Sequence, residues 1–138
     1  MNTTHREEFC GLPFSRRQTG LLIILGAILW LVAALILKAL APSGIYEGSA
    51  QIILYALIVP GTVPFLLASL KVASIERPSS FAAVALMTMS AMLLDGIALA
   101  WFPFLYGGDV AYVAGAGAAI LWGAGVGLVL ALFVNRAS

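Results

Sequence analysis

Apolar residues fill four long stretches of the chain, and polar or helix-breaking residues fall mostly between them. The stretches cover residues 20–41, 50–73, 80–102 and 110–134. Each supplies the ~20 mostly apolar residues that a helix needs to cross a hydrocarbon layer. None alternates as a half-buried strand would, and inside a bilayer the backbone must satisfy its own hydrogen bonds, so helices are expected. The links at 42–49, 74–79 and 103–109 are short. Links of that length predict an antiparallel, up-down-up-down order in which sequential helices are neighbours. The pattern thus predicts an all-α, integral membrane four-helix transmembrane bundle. A polar tail over 1–19 precedes it and a short one over 135–138 follows.

Composition narrows the function classes. Of 138 residues, 62% are hydrophobic and only 9% charged, with a mean hydropathy of +1.07. A soluble domain carries nearer 25% charge, roughly, so there is too little here to coat a water-facing surface. A soluble enzyme, a disordered chain and a nucleic-acid binder with a basic stripe are excluded. The lipid bilayer is the expected partner. The first apolar run, 21–37, follows Arg16 and Arg17 and leads to Ala39-Leu40-Ala41, the outline of a cleavable secretory signal. It exceeds the ~7–15 residues of such a signal's apolar region, Lys38 interrupts its end, and Pro42 would follow the cut. It reads as a retained first span.

Charge sets the expected orientation. Every basic residue except Lys38 falls at one end of this topology: Arg6, Arg16, Arg17, Lys71, Arg77 and Arg136. The first and third links carry Glu47 and Asp109 and no Lys or Arg. Basic residues collect on the cytoplasmic side, so both termini are expected there. Tyr46, Trp101, Phe102, Phe104, Tyr106 and Tyr112 gather at the opposite end, as an aromatic interface belt would. Pro42 and Tyr46-x-Gly48 are echoed by Pro103 and Tyr106-x-Gly108, which reads as shared turn chemistry rather than an internal duplication.

Asp95 is the main candidate for chemistry. It lies eight residues before Pro103, about 12 Å inside the end of the third span at the helical rise. A carboxylate at such depth is costly unless paired, hydrated or protonated. It is read either as a proton- or cation-binding group or as a polar clasp between helices. Lys38, about 6 Å inside the same end of the first span, is its natural partner unless the lysine stem snorkels to the interface.

The second span contains Pro60-Gly61-Thr62-Val63-Pro64, whose prolines remove two helix hydrogen bonds near mid-membrane. The segment is read either as a binding break of the transporter kind, with Pro60, Gly61, Thr62 and Pro64 as its residues, or as a plain kink. In the fourth span Ala111, Gly115, Ala119, Gly123, Gly127 and Ala131 recur every four residues, a ridge over which another backbone can approach closely. Gly117 and Gly125 widen it. Internal packing and self-association both fit.

Other arrangements carry less. Met87, Met89 and Met92 offer thioether ligands for copper, but their spacing scatters them around a helix, where methionine commonly fills gaps. Trp30 and Trp122 sit mid-span, where packing is expected. Cys10 and His5 make at most half of a metal site, and one cysteine permits no internal disulfide. No nucleophile–base set or paired carboxylates are present, and no metal or cofactor is expected.

Met92-Leu93-Leu94-Asp95, Trp101-Phe102-Pro103 and Leu121-Trp122-Gly123 resemble a family of small four-span bacterial membrane proteins grouped as a domain of unknown function. The likeness runs from about Gly20 onward. That family often has a polar residue after Phe-Pro, where this chain has Phe104. The resemblance implies a multi-pass protein of the bacterial cytoplasmic (inner) membrane, with Asp95 at the family's acidic position, and implies no activity. The reading that follows is a non-enzymatic bundle with a buried acid. The alternatives are a small homodimeric transporter or channel, and an accessory subunit docking onto a larger membrane complex through the fourth span.

Overall fold

The computed structural model describes residues 11–136. Arg6, the candidate metal pair His5 and Cys10, and the end of the C-terminal tail lie outside them. Among the described residues there are four α-helices: α1 (Arg16–Leu40), α2 (Gly48–Val72), α3 (Ser80–Trp101) and α4 (Val110–Arg136). All four are long and apolar enough to cross a membrane. Among the described residues there is no strand.

Helix α1 begins earlier than the apolar pattern predicts, inside the stretch assigned to the polar tail. A capping box fixes the start. The Ser15 hydroxyl accepts from the Gln18 backbone N–H at 3.2 Å, and Gln18 Oε1 accepts from the Ser15 N–H at 3.1 Å. Two of the N–H groups that every helix start leaves without partners are thereby satisfied. Phe14 and Thr19 are buried rather than dispersed in a tail.

The links are built from short 3-10 turns, at Ala41–Ser43, Arg77–Ser79 and Pro103–Tyr106. At the end of α2 the chain turns at Ser74, the one described non-glycine residue with positive φ. The Ile75 N–H reaches back to the Leu70 carbonyl at 2.9 Å and the Ser74 N–H to that of Lys71 at 3.1 Å. This is a Schellman stop made without glycine. The third link leaves its turn through two left-handed glycines, Gly107 and Gly108. The Asp109 carboxylate then accepts from the Ala111 N–H at 2.8 Å and opens α4.

The order of helices in space differs from the order in sequence. Helix α1 packs against α3, α3 against α4, and α4 against α2. Helices α1 and α2 hardly pack together, and α2 barely meets α3, so the expectation that every short link joins neighbours holds only for α3 and α4. The reason is where side chains are missing. Gly26 of α1 is buried against α3, and a β-carbon there would lie 2.5 Å from the Met87 carbonyl oxygen. On α4, Gly123 sits by Ile58 and Gly127 by Thr62 of α2. In a lipid solvent close approach is set by such small surfaces, and a link need only span the gap.

The core divides into two clusters. One, at the end holding the start of α1 and the end of α4, gathers Phe14, Leu22, Leu66, Leu70, Ala83 and Met87. The other gathers Ala34, Leu37, Leu54, Ala98, Tyr106 and Ala119 at the end formed by the first and third links. Near the first end Gln18 Nε2 donates to the carbonyls of Ala73 at 3.3 Å and Ser74 at 3.2 Å, tying α1 to the end of α2.

Candidate functional site

Asp95 faces the interior of the bundle and is 7% exposed. Its partner is Tyr106, eleven residues further on, which is wholly buried. Pro103 starts the 3-10 turn that ends at Tyr106. The Tyr106 hydroxyl donates a hydrogen bond to Asp95 Oδ1. The indole Nε1 of Trp30, on α1, donates to the same hydroxyl oxygen at 3.2 Å. Three segments, α1, α3 and the third link, thus meet in one directed chain of hydrogen bonds: indole to phenol to carboxylate.

That chain has a defined polarity. The phenol accepts one bond and donates one, the carboxylate accepts, and an indole N–H can only donate. Burial, and then the adjacent Asp95 carboxylate, push the Tyr106 phenol well above its ordinary value, so it stays a donor. A proton arriving at Asp95 has no acceptor to pass to through Trp30. The arrangement binds three segments together.

The other predicted residues lie elsewhere. Lys38 is exposed and Asp95 is met by Tyr106, so of the two readings of Lys38, pairing with Asp95 or reaching the interface, the pairing is not formed. A lysine in the last turn of α1, two residues from its end, reaches the interface more cheaply than it reaches a buried carboxylate. Pro60, Gly61 and Pro64 are exposed and Thr62 is half-buried; none of them joins Asp95. Helix α2 runs unbroken through both prolines. The Thr62 hydroxyl donates to the Ile58 carbonyl at 2.7 Å, so it does not serve the carbonyls that the prolines free. Of the two readings of this segment, a binding break or a proline-containing helix, α2 has the form of the second.

The α4 ridge is used internally along much of its length. Ala119, Gly127 and Ala131 are buried and Gly115 and Gly123 half-buried; Ala111, at the end, is exposed. The ring of Tyr46 lies over Gly115, where a β-carbon would come within 2.7 Å of Cδ2. Tyr46 is held there by its hydroxyl, which donates to the Leu37 carbonyl at 3.3 Å. Trp122 Nε1 donates to the Tyr55 carbonyl at 3.1 Å, and the two rings sit 5.5 Å apart, adding to the α2–α4 seam. Met87 is buried while Met89 and Met92 are exposed, so the three sulfurs do not converge.

Two features escaped the sequence reading. The sequence pattern puts Tyr106 in an interface belt, whereas Trp101, Phe102 and Phe104 around it are exposed and it alone of that group turns fully inward. Its place at the end of a proline-led turn, eleven residues after a buried acid, was the available signal. Gly26 carried none, because a single glycine in an apolar run marks no face. Comparison with protein-family models, with curated proteins and with solved structures finds no match to this chain.

Proposed function

We propose that this is a non-enzymatic, multi-pass protein of the bacterial cytoplasmic membrane with both ends in the cytoplasm, and that Asp95 is a structural clasp rather than a permeant-binding group. The observation that carries this reading is the hydrogen-bond chain from Trp30 through Tyr106 to Asp95 within one protomer. A permeant-binding acid needs an exchangeable partner and a route. Here the partner is a buried phenol, and the residues of the α2 proline segment are not part of the site. The orientation rests on the collection of Arg16, Arg17, Lys71, Arg77 and Arg136 toward the end that holds the start of α1 and the end of α4.

The test is paired. In proteoliposomes the wild-type protein is expected to leave an imposed pH gradient as stable as protein-free vesicles do. Asp95→Asn and Tyr106→Phe are expected to lower the denaturant midpoint in detergent. A gradient that collapses with the wild type and holds with Asp95→Asn would replace the clasp with a proton path.

A further inference from the structure

At the end of the bundle formed by the first and third links, a groove of about 320 Å³ opens between the start of α2 and the start of α4. Its lining includes small α4 residues such as Gly115 and Ala118, the phenol rings of Tyr46 and Tyr112, and the polar side chains of Glu47 and Gln51. Among the described residues no Lys, Arg or His lines it. Glu47 precedes α2 but makes no capping hydrogen bond to it, so its carboxylate is not engaged by that helix start. The start of α4, by contrast, is met by Asp109, which accepts from the Ala111 N–H.

We propose that this groove is a binding site for a small organic cation, a substituted ammonium with an apolar body. Four properties select that class. The only formal charge in the lining is the carboxylate of Glu47. The two phenol rings in the lining are electron-rich and add attraction for a cation of low charge density. The volume is at the lower end of the ~300–1,000 Å³ of small-molecule pockets. A single carboxylate with no His or Cys beside it is a poor cage for a metal ion, which needs several such ligands. Burial holds the Tyr46 phenol above its ordinary value, so that wall stays neutral and leaves the carboxylate to define the charge. An anion would meet Glu47 and no cation.

The groove is independent of the Asp95 clasp, which does not line it, so either assignment can fail alone. The experiment is a titration of the purified full chain in nanodiscs with benzyltrimethylammonium, followed by ligand-observed NMR. Its uncharged carbon isostere and benzoate serve as controls for partition into lipid. Glu47→Gln removes the charge and Ala118→Leu adds bulk to the lining. Both positions are exposed, so neither change touches the core. The expected result is saturable binding of the ammonium alone, weakened at least tenfold by each variant. No saturable binding, binding that either variant leaves within tenfold of wild type, or equal binding of a control would overturn the assignment.

Discussion

The two ends of this bundle are held together by different chemistry. At the end with the start of α1 and the end of α4, the core is mainly aliphatic, and Gln18 ties α1 to the backbone carbonyls of Ala73 and Ser74. Two buried hydroxyls near this end, Thr19 Oγ1 and Ser80 Oγ, have no hydrogen-bond partner among the described residues. At the linked end a phenol, an indole and a carboxylate are joined side chain to side chain. The lesson concerns direction. Where every solvent-facing and core-facing residue is apolar, packing alone chooses weakly among faces, and a directed hydrogen-bond chain selects one arrangement of α1, α3 and the third link.

Truncation at the linked end should break the comparison most severely. Tyr106→Ala removes a wholly buried ring and both of its hydrogen bonds. A loss of about 3–5 kcal/mol is expected, read as the shift of the SDS-induced unfolding midpoint in mixed micelles. A shift under about 1 kcal/mol would mean that the site collapses around the gap or that the ring is not a core element.

Next in size is Gly26→Ala, which strikes the opposite half. The added methyl meets the Met87 carbonyl oxygen, a backbone atom that moves only if α1 and α3 part. About 1–3 kcal/mol of destabilisation is expected in the same assay. Gly125→Ala is the natural control, because a methyl there meets nothing within 4 Å. Equal behaviour of the two variants would contradict the close α1–α3 contact.

The finest discrimination comes from deleting one hydroxyl at each end. Tyr106→Phe should cost about 1–2 kcal/mol, since it leaves a buried carboxylate and an indole N–H without their shared partner. Thr19→Val should leave the midpoint unchanged or raise it, because the hydroxyl it removes has no partner among the described residues. Opposite signs at the two ends would sharpen the contrast. A matching loss at Thr19 would erase it.

Much of the fold was legible in the sequence, because lipid makes the requirement simple. A span needs enough consecutive apolar residues, and the four predicted stretches match α1 to α4 to within a few residues at most ends. The ridge of α4 was legible for the same reason: small residues at a four-residue period have few other uses in a membrane helix. What could not be read was which face meets which. Ile24, Leu35, Leu57 and Leu93 are as apolar as Leu22 and Leu66, yet the first four are exposed and the last two buried. With no polar face to mark the outside, the pattern carries no rotational information. Asp95 was legible as an exceptional residue. Its partner was not, because Tyr106 belongs to a link, and only the turn begun at Pro103 brings its hydroxyl back inside.

The short sequence separation of Asp95 and Tyr106 has a consequence for biosynthesis. As the polypeptide leaves the ribosome, Trp30 has been made long before Asp95 enters the membrane, and Tyr106 follows eleven residues behind the acid. Both donors therefore emerge before α4 begins at Val110. The translocon need not shelter a lone carboxylate until the last segment arrives, and the final helix inserts beside a partner whose most expensive group is already satisfied.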